Sequence, residues 1–195
     1  MSLTRGRVEN MIIKTLDTAD FDRVYEIMEN SFPPDERRTK DGQRALLGND
    51  KYRILVCIEK SEILGFMAIW DFGEVAFLEH FAVDVAFRGK KIGENMLREA
   101  LASLQKPLFL EVEPPCDEIT NRRVAFYKRN GLFLNEYAYI QPAMASGREA
   151  VPLMIMTSGG AINRAQFEQM RDLLYTYVYD LSLPENESIK KLVYL

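Results

Sequence analysis

Apolar positions recur along the chain with two periodicities. Segments with a period of about two residues are typical of strands, and segments with a period of about 3.6 residues are typical of helices. Short apolar runs rich in β-branched and aromatic residues predict strands over 11–16, 52–59, 63–70, 75–83, 108–112, 132–140 and 151–156. Apolar residues spaced three or four apart predict helices over 21–32, 43–47, 92–104, 121–130 and 163–179. The predicted order of elements is β-α-α-β-β-β-α-β-α-β-β-α.

Prolines and glycines mark where several of these elements end. Pro33 and Pro34 lack the backbone N–H that a helix needs, so the first helix ends at Phe32. Pro107 ends the third helix, and Gly131 stands where a left-handed cap would close the fourth. The pattern favours an α/β fold with a mixed sheet, and the β-α-β crossover in its middle is where a cofactor would bind.

Length and composition indicate one ordinary globular domain. The 195 residues allow one sizeable core and argue against two separate domains. We expect the core over 11–156, a helical extension over 160–195, and a loose native tail or a cloning remnant over 1–10. The net charge is −4 and no basic block occurs, which argues against a nucleic-acid binder.

Cysteine usage and hydropathy favour the cytoplasm. Cys57 and Cys116 lie far apart and form no Cys-x-x-Cys pair, so we expect neither a disulfide framework nor a metal site. No apolar run approaches the roughly 20 residues of a membrane span. The first residues lack the apolar segment of a secretory signal. We therefore expect a cytoplasmic protein that contacts neither membrane nor nucleic acid.

A loop rich in glycine and positive charge joins the fourth predicted strand to the third helix. It contains Arg88, Gly89, Lys90, Lys91, Ile92 and Gly93. The free N–H groups and partial positive charge of a helix N-terminus bind anions, and glycines let phosphate oxygens approach the backbone. The loop suits a diphosphate, although a solvated turn has the same composition. It is neither a Walker A loop nor a Gly-x-Gly-x-x-Gly fingerprint, which argues against a nucleotide-binding α/β protein.

Two motifs make the sequence resemble the GNAT superfamily of N-acetyltransferases. In that superfamily a strand ending in Ala-Val leads into Arg-Gly-x-Gly-x-Gly at the start of a helix, and Phe-Tyr-x-x-x-Gly-Phe follows after another strand. Residues 87–93 fit the first motif and 125–132 the second. Lys91 replaces the first helical glycine, Leu132 replaces the final Phe, and Asn121 is displaced by one position from the usual Asn. The resemblance covers 11–156.

The resemblance implies a fold and a cofactor. The fold is a twisted, mostly antiparallel sheet of about six to seven strands with helices on both faces. The cofactor is acetyl-CoA, with its diphosphate on the basic loop and its pantetheine arm and acetyl carbonyl on free backbone groups of the fourth strand. The implied cofactor-binding residues are Phe81, Ala82, Val83, Arg88, Gly89, Lys90, Lys91, Ile92, Gly93, Asn121 and Tyr127.

Acetyl transfer to an amine needs a base for the ammonium and an acid for the leaving thiolate. The resemblance places Tyr127 beside the cofactor sulfur as the acid, and the alternative is a tyrosine that only packs under the sheet. It places the base on the inward face of the fourth strand. Regular alternation puts Glu79 there beside Phe81 and Val83, and His80 on the opposite face.

Glu79 is therefore the first candidate for the base, and apolar neighbours are expected to raise its pKa. The alternative is a glutamate paired with a nearby Arg or Lys. His80, the only histidine, is the second candidate because its side chain titrates near neutral pH. A β-bulge would turn it toward the site.

The acceptor site is expected around Phe32, Arg37, Arg38 and Tyr139, since the loop after the first helix often borders the acceptor in this superfamily. The two arginines either bind a carboxylate on the acceptor or form a solvated pair. The last helix either covers the sheet or forms a homodimer contact. The expected function is direct acetyl transfer, in a ternary complex, to a primary amine on a small molecule or peptide. The alternative is a catalytically silent acyl-CoA-binding sensor or scaffold module.

Overall fold

The computed structural model describes residues 11–143, 147 and 149–181. Seven strands form one sheet in the spatial order β1-β2-β3-β4-β5-β7-β6. The strands are β1 (Ile12–Thr15), β2 (Tyr52–Glu59), β3 (Glu62–Asp71), β4 (Ala76–Val83), β5 (Leu108–Val112), β6 (Leu132–Gln141) and β7 (Val151–Ser158). Neighbouring strands run antiparallel apart from β4 and β5. The implied mostly antiparallel sheet is confirmed.

Within the part of the chain that the structure describes, five α-helices connect and follow these strands. They are α1 (Phe21–Ser31), α2 (Lys40–Ala45), α3 (Ile92–Leu104), α4 (Glu118–Arg129) and α5 (Arg164–Leu173). A π-helical turn over Leu174–Val178 continues α5, so the last predicted helix is two different helical segments. None of the helices in the described ranges is long and apolar enough to cross a membrane. The expected tail over 1–10 lies outside the described residues.

Capping side chains explain where the structure differs from the predicted helix ends. The second helix begins at Lys40 because the Thr39 hydroxyl accepts a hydrogen bond from the backbone N–H of Gly42. The fourth begins at Glu118 because Asp117 and Thr120 form a reciprocal capping box. These caps satisfy N–H groups that a helix leaves without partners, and apolar spacing alone does not reveal them.

The core has one layer on each face of the sheet. On one face α1 and α5 pack against apolar strand residues such as Phe66 and Trp70. On the other face α3 and α4 cover a second set that includes Met67 and Leu78. Helices therefore lie on both faces, as the resemblance implied.

β4 and β5 are joined by the α3 crossover, and their pairing is short. Ala76, Phe77 and Leu78 pair in parallel with the residues from Leu108 to Leu110. Beyond Leu78, β4 still pairs with β3 as far as Val83. The backbone groups of 79–83 that point toward β5 therefore have no strand partner, and the two strands diverge there.

Candidate active site

A cavity of about 360 Å³ opens where β4 and β5 diverge. Its walls include residues 78–83 of β4, 110–113 of β5, and Tyr127 of α4. The end of α1 and the loop after it contribute Phe32 and Glu36. The structure therefore brings together the predicted residues Phe32, Glu79, His80, Phe81, Ala82, Val83, Arg88 and Tyr127.

A groove of about 680 Å³ adjoins this cavity between β4 and α4. The two share Phe81, Val83, Arg88, Arg123 and Tyr127 as lining residues. Four arginine side chains line the groove, namely Arg88, Arg122, Arg123 and Arg129. A long ligand with phosphate groups at one end fits this arrangement, because it can lie in the basic groove and reach into the cavity.

A β-bulge in β4 changes the predicted faces of this strand. Ala68 of β3 pairs with His80, while the next residue, Ile69, pairs with Leu78, so Glu79 is the additional residue. Glu79 and His80 both face the α1 layer, where they contact Trp70 and Phe32 respectively. Phe81 and Val83 pack into the opposite layer. The prediction that Glu79 shares a face with Phe81 and Val83 is wrong, and the bulge turns His80 toward the site.

Glu79 is a buried, paired carboxylate. It forms an ion pair with Arg38, and the indole N–H of Trp70 donates to its Oε2 at 3.0 Å. Burial raises the pKa of Glu79, but the positive charge of Arg38 and these hydrogen bonds outweigh burial and lower the pKa overall. The predicted upward shift is wrong because Arg38 neutralises the carboxylate. A paired carboxylate of low pKa is a weak proton acceptor.

His80 connects β4 to the loop that follows α1. Its Nε2 lies 2.8 Å from the backbone oxygen of Glu36, and a carbonyl oxygen only accepts, so Nε2 carries the proton. Burial lowers the pKa of His80, although Glu79 opposes the shift. Its Nδ1 has no hydrogen-bond partner among the described residues and lies 3.8 Å from Glu79 Oε2. A neutral His80 therefore holds the Glu36 loop over the cavity.

Glu111 is a buried carboxylate of the cavity wall that the sequence analysis did not select. It is the only charged residue of β5 and lines the cavity. The hydroxyls of Tyr139 and Tyr179 both donate to its carboxylate, the second at 2.6 Å. Burial raises the pKa of Glu111 to about 7, although these two hydrogen bonds oppose the shift. The signal available in the sequence was one glutamate inside an otherwise apolar strand.

Tyr127 lies where the cavity meets the groove. Burial raises the pKa of its phenol to about 12, so the hydroxyl carries its proton at neutral pH. A protonated phenol at this junction can donate to an anionic sulfur that reaches the cavity from the groove.

The basic loop leads directly into α3, whose first residue is Ile92. Gly89 has a φ of 81°, and Lys91 caps the helix with a φ of 60°, both in the left-handed region. Gly93 lines the groove, while the Ile92 side chain is buried in the α3 layer and only its backbone N–H can face a ligand. Lys90 lies over the Phe87 ring at 5.2 Å. The free N–H groups of this helix end and the arginines of the groove fit a diphosphate.

Asn121 is not brought to the groove by the structure. Its side-chain amide donates back to the backbone oxygen of Asp117 at 2.6 Å, one turn earlier in α4. Neither the cavity nor the groove is lined by it. Ile119, Arg122 and Arg123 of the same helix line the groove instead, because they lie on the face toward β4.

Arg37 and Arg38 are engaged inside the protein. Arg38 pairs with Glu79 and donates to the backbone oxygen of Val178 at 2.6 Å. Arg37 donates to the Tyr25 hydroxyl at 2.9 Å and lies 3.3 Å from Glu29. The Arg38 side chain is 11% exposed, and the Arg37 side chain is 15% exposed. Burial and these partners contradict a solvated pair. Neither arginine lines the cavity, and acceptor binding by them stays a prediction that this geometry does not support.

Tyr139 is buried behind Glu111 and does not line the cavity. Its hydroxyl donates to the Glu111 carboxylate, so it reaches the site through that residue alone. The predicted direct contact of Tyr139 with an acceptor is not supported by this geometry.

Two acidic side chains, Glu36 and Glu113, also line the cavity. Glu113 pairs with Arg123, while Glu36 has no ion pair among the residues that the structure describes. Burial raises the pKa of Glu36, and the nearby charge of Glu113 raises it further. A cation placed beside Glu36 would be stabilised, because it would offset the repulsion between the two carboxylates.

Comparison with known families agrees with this geometry. The model of the acetyltransferase (GNAT) family matches residues 21–132, which is more than half of the chain. The chain belongs to the GNAT acetyltransferase family. The match includes α1, the diverging strands, the basic loop and Tyr127, so the family segment contains most of the cavity wall of this GNAT protein.

Relatives extend the similarity to most of the chain. A solved GNAT acetyltransferase from Bacteroides thetaiotaomicron is 31% identical, with a TM-score of 0.80 over 86% of this chain and 98% of that one. A Bacillus subtilis protein named as a ribosomal protein bS18-alanine N-acetyltransferase is 31% identical over 50% of this chain and 61% of its own length. The ribosomal-protein-S18-alanine N-acetyltransferase of Escherichia coli shares the fold at 19% identity and a TM-score of 0.60 over 79% of this chain and 96% of that one.

Proposed function

We propose that this GNAT protein is an acetyl-CoA-dependent N-acetyltransferase that transfers the acetyl group directly to a primary amine in a ternary complex. The observation that carries the proposal is that Glu111 and Tyr127 line one cavity where β4 and β5 diverge, and that this cavity adjoins the arginine-lined groove. Glu111, with a pKa of about 7, can accept a proton near neutral pH, and the protonated Tyr127 phenol can donate one to a thiolate.

The residues present fit acetyl-CoA. We assign its diphosphate to the N-terminus of α3 with Arg88, and its phosphate-bearing end to the arginines of the groove. The backbone groups of 79–82 that have no strand partner on the β5 side offer N–H and C=O groups to an extended arm, as an added strand would use them. When bound, acetyl-CoA supplies a thioester carbonyl that an amine can attack.

The protein groups then move two protons. With acetyl-CoA bound, Glu111 would accept the first proton of the acceptor ammonium and pass it to solvent, which frees the amine for attack. The new bond would join nitrogen to the acetyl carbon as the carbon–sulfur bond breaks. Tyr127 would donate its phenolic proton to the departing sulfur and regain a proton from the second one that the nitrogen loses. Glu79 and His80 remain predictions as bases, but the pairing of Glu79 with Arg38 favours Glu111 for this role.

We propose that the acceptor carries a second positive charge near its amine. Glu36 lines the same cavity as Glu111 and has no ion pair within the described residues. The names of structural neighbours include amines of different size, since one is a chimeric spermidine N-acetyltransferase built from the Vibrio cholerae protein and hSSAT, and another is named as a ribosomal-protein-S18-alanine N-acetyltransferase. Location in the cytoplasm and a homodimer contact of the last helix stay predictions.

The test is an amine panel with detection of the released thiol, combined with calorimetry of acetyl-CoA binding. We expect turnover of at least one polyamine or basic N-terminal peptide. Glu111→Gln and Tyr127→Phe are expected to lower kcat by about 10²–10⁴-fold while acetyl-CoA still binds. Absence of acetyl-CoA binding would refute the proposal. Binding without turnover of any amine would favour the silent module.

A further inference from the structure

The last described segment of the chain reaches the candidate active site from outside the family match. That match ends at residue 132, whereas α5 and the π-helical turn span Arg164–Leu173 and Leu174–Val178. Tyr179 follows the turn, is 3% exposed and lines the cavity. An extension that the sequence pattern explained as packing therefore supplies part of the cavity wall.

The π-helical turn determines where Tyr179 points. The backbone N–H of Tyr179 donates to the oxygen of Leu174 at 3.0 Å, five residues earlier. An uninterrupted α-helix would lack this additional residue, and one residue rotates a side chain by about 100° around the helix. With the turn, the Tyr175 hydroxyl donates to the backbone oxygen of Ile140 at 2.7 Å, and the Tyr179 hydroxyl donates to Glu111 at 2.6 Å. Single π turns are frequent at functional sites.

The end of this turn is fixed to β4 through two charged residues. The backbone oxygen of Val178 is one of the carbonyls that a helix end leaves without a partner. Arg38 donates to it at 2.6 Å and also pairs with Glu79. The ion pair therefore holds the end of the extension against the bulge of β4, next to Tyr179.

We propose that Tyr179 is a positioning residue for Glu111, so that the C-terminal extension completes the active site. Its hydroxyl orients the Glu111 carboxylate and favours the ionised form that accepts a proton. This inference rests on the proposed function, in which Glu111 is the base.

Groups from several neighbouring elements act on the pKa of Glu111. Tyr139 of β6 and Tyr179 donate to the carboxylate and lower its pKa. Burial and the charge of Glu79 on β4 raise the pKa, and Arg38 lowers it. The neighbouring residue on β7 is the apolar Ile155. Loss of the Tyr179 hydroxyl removes one of the opposing contributions, so the pKa of Glu111 must rise above about 7.

Tyr179→Phe tests the inference, with Tyr175→Phe as the matched control. Both variants remove one buried hydroxyl, one within the π-helical turn and one directly after it. The Tyr175 hydroxyl donates to a backbone oxygen, whereas the Tyr179 hydroxyl donates to Glu111. We expect Y179F to move the acidic limb of the kcat/KM–pH profile upward by about one unit, which is about a tenfold loss below the limb and recovery at alkaline pH. Y175F is expected to lower Tm without moving the limb.

A second measurement does not depend on turnover. The Glu111 carboxyl is titrated by ¹³C NMR in protein labelled at glutamate, and the signal is assigned by its loss in Glu111→Gln. An upward shift in Y179F alone supports the inference, and equal titration in wild type and Y179F overturns it. If Y179F does not fold, 3-fluorotyrosine at position 179 provides a more acidic donor and must shift the titration downward.

Failure of this inference and failure of the proposed function give different experimental results. Unchanged pH behaviour of Y179F in an enzyme that still needs Glu111 overturns the positioning role and leaves the proposed function intact. If Glu111→Gln keeps full activity, the role of Glu111 as base fails, while the NMR titration still decides whether Tyr179 controls its ionisation.

Discussion

Replacing Arg38 with methionine removes the cation that neutralises the buried Glu79 carboxylate. The two side chains are 11% and 2% exposed, so water cannot replace the lost partner. Removing one member of a buried ion pair costs about 3–5 kcal/mol, because the remaining charge stays buried without compensation. We therefore expect the R38M variant to lose about 3–5 kcal/mol in free energy of unfolding at pH 7.5.

The pH dependence of this loss follows from the sign of the pKa shift. In the wild type, Arg38 holds the pKa of Glu79 below its ordinary value, so the pair stabilises the fold above that value and loses its effect as pH falls. Without Arg38, burial raises the pKa of Glu79, and the carboxyl becomes neutral on mild acidification. The difference between wild type and R38M must shrink from pH 7.5 toward pH 4.

Urea unfolding followed by circular dichroism measures both effects. Arg37→Met is the matched control, because Arg37 contacts Tyr25 and the half-exposed Glu29, and should cost about 1 kcal/mol or less. The double variant R38M/E79Q should recover much of the loss, since it removes both charges. The reasoning is refuted if R38M costs no more than Arg37→Met, or if the losses from R38M and E79Q simply add.

Three further predictions concern the site. The wild-type kcat/KM should rise with pH through a limb near 7, because Glu111 with a pKa of about 7 must be ionised to accept a proton, and a profile that is flat between pH 6 and 8 would contradict this. Glu36→Gln should raise KM about tenfold for a diamine but not for a monoamine of equal length, and an equal effect on both would remove Glu36 from acceptor binding. Lys91→Gly should raise the free energy of unfolding by up to about 1 kcal/mol, because Lys91 has a φ of 60° and glycine adopts this conformation without strain; a lower free energy of unfolding in urea titrations would contradict this.

The local pattern of the sequence predicted the secondary-structure elements and the residues on one side of the candidate active site. The order of strands and helices was predicted from local features of the sequence. Examples are the apolar spacing of α3, the Pro33–Pro34 pair and the compact apolar run of β5. The sequence also placed Arg88, Gly93 and Tyr127 on one side of the candidate site, and all three line the groove. These features depend on residues within a few positions of one another, where backbone geometry and side-chain periodicity act directly.

The chemistry of the cavity was decided by contacts between distant residues. Arg38 and Glu79 are 41 positions apart, and Tyr179 and Glu111 are 68 apart. The bulge that turns both Glu79 and His80 toward α1 depends on how β3 pairs with β4. A pKa depends on burial and on neighbouring charges, so the sequence showed a glutamate inside an apolar strand, and only the packed structure made Glu111 a base candidate.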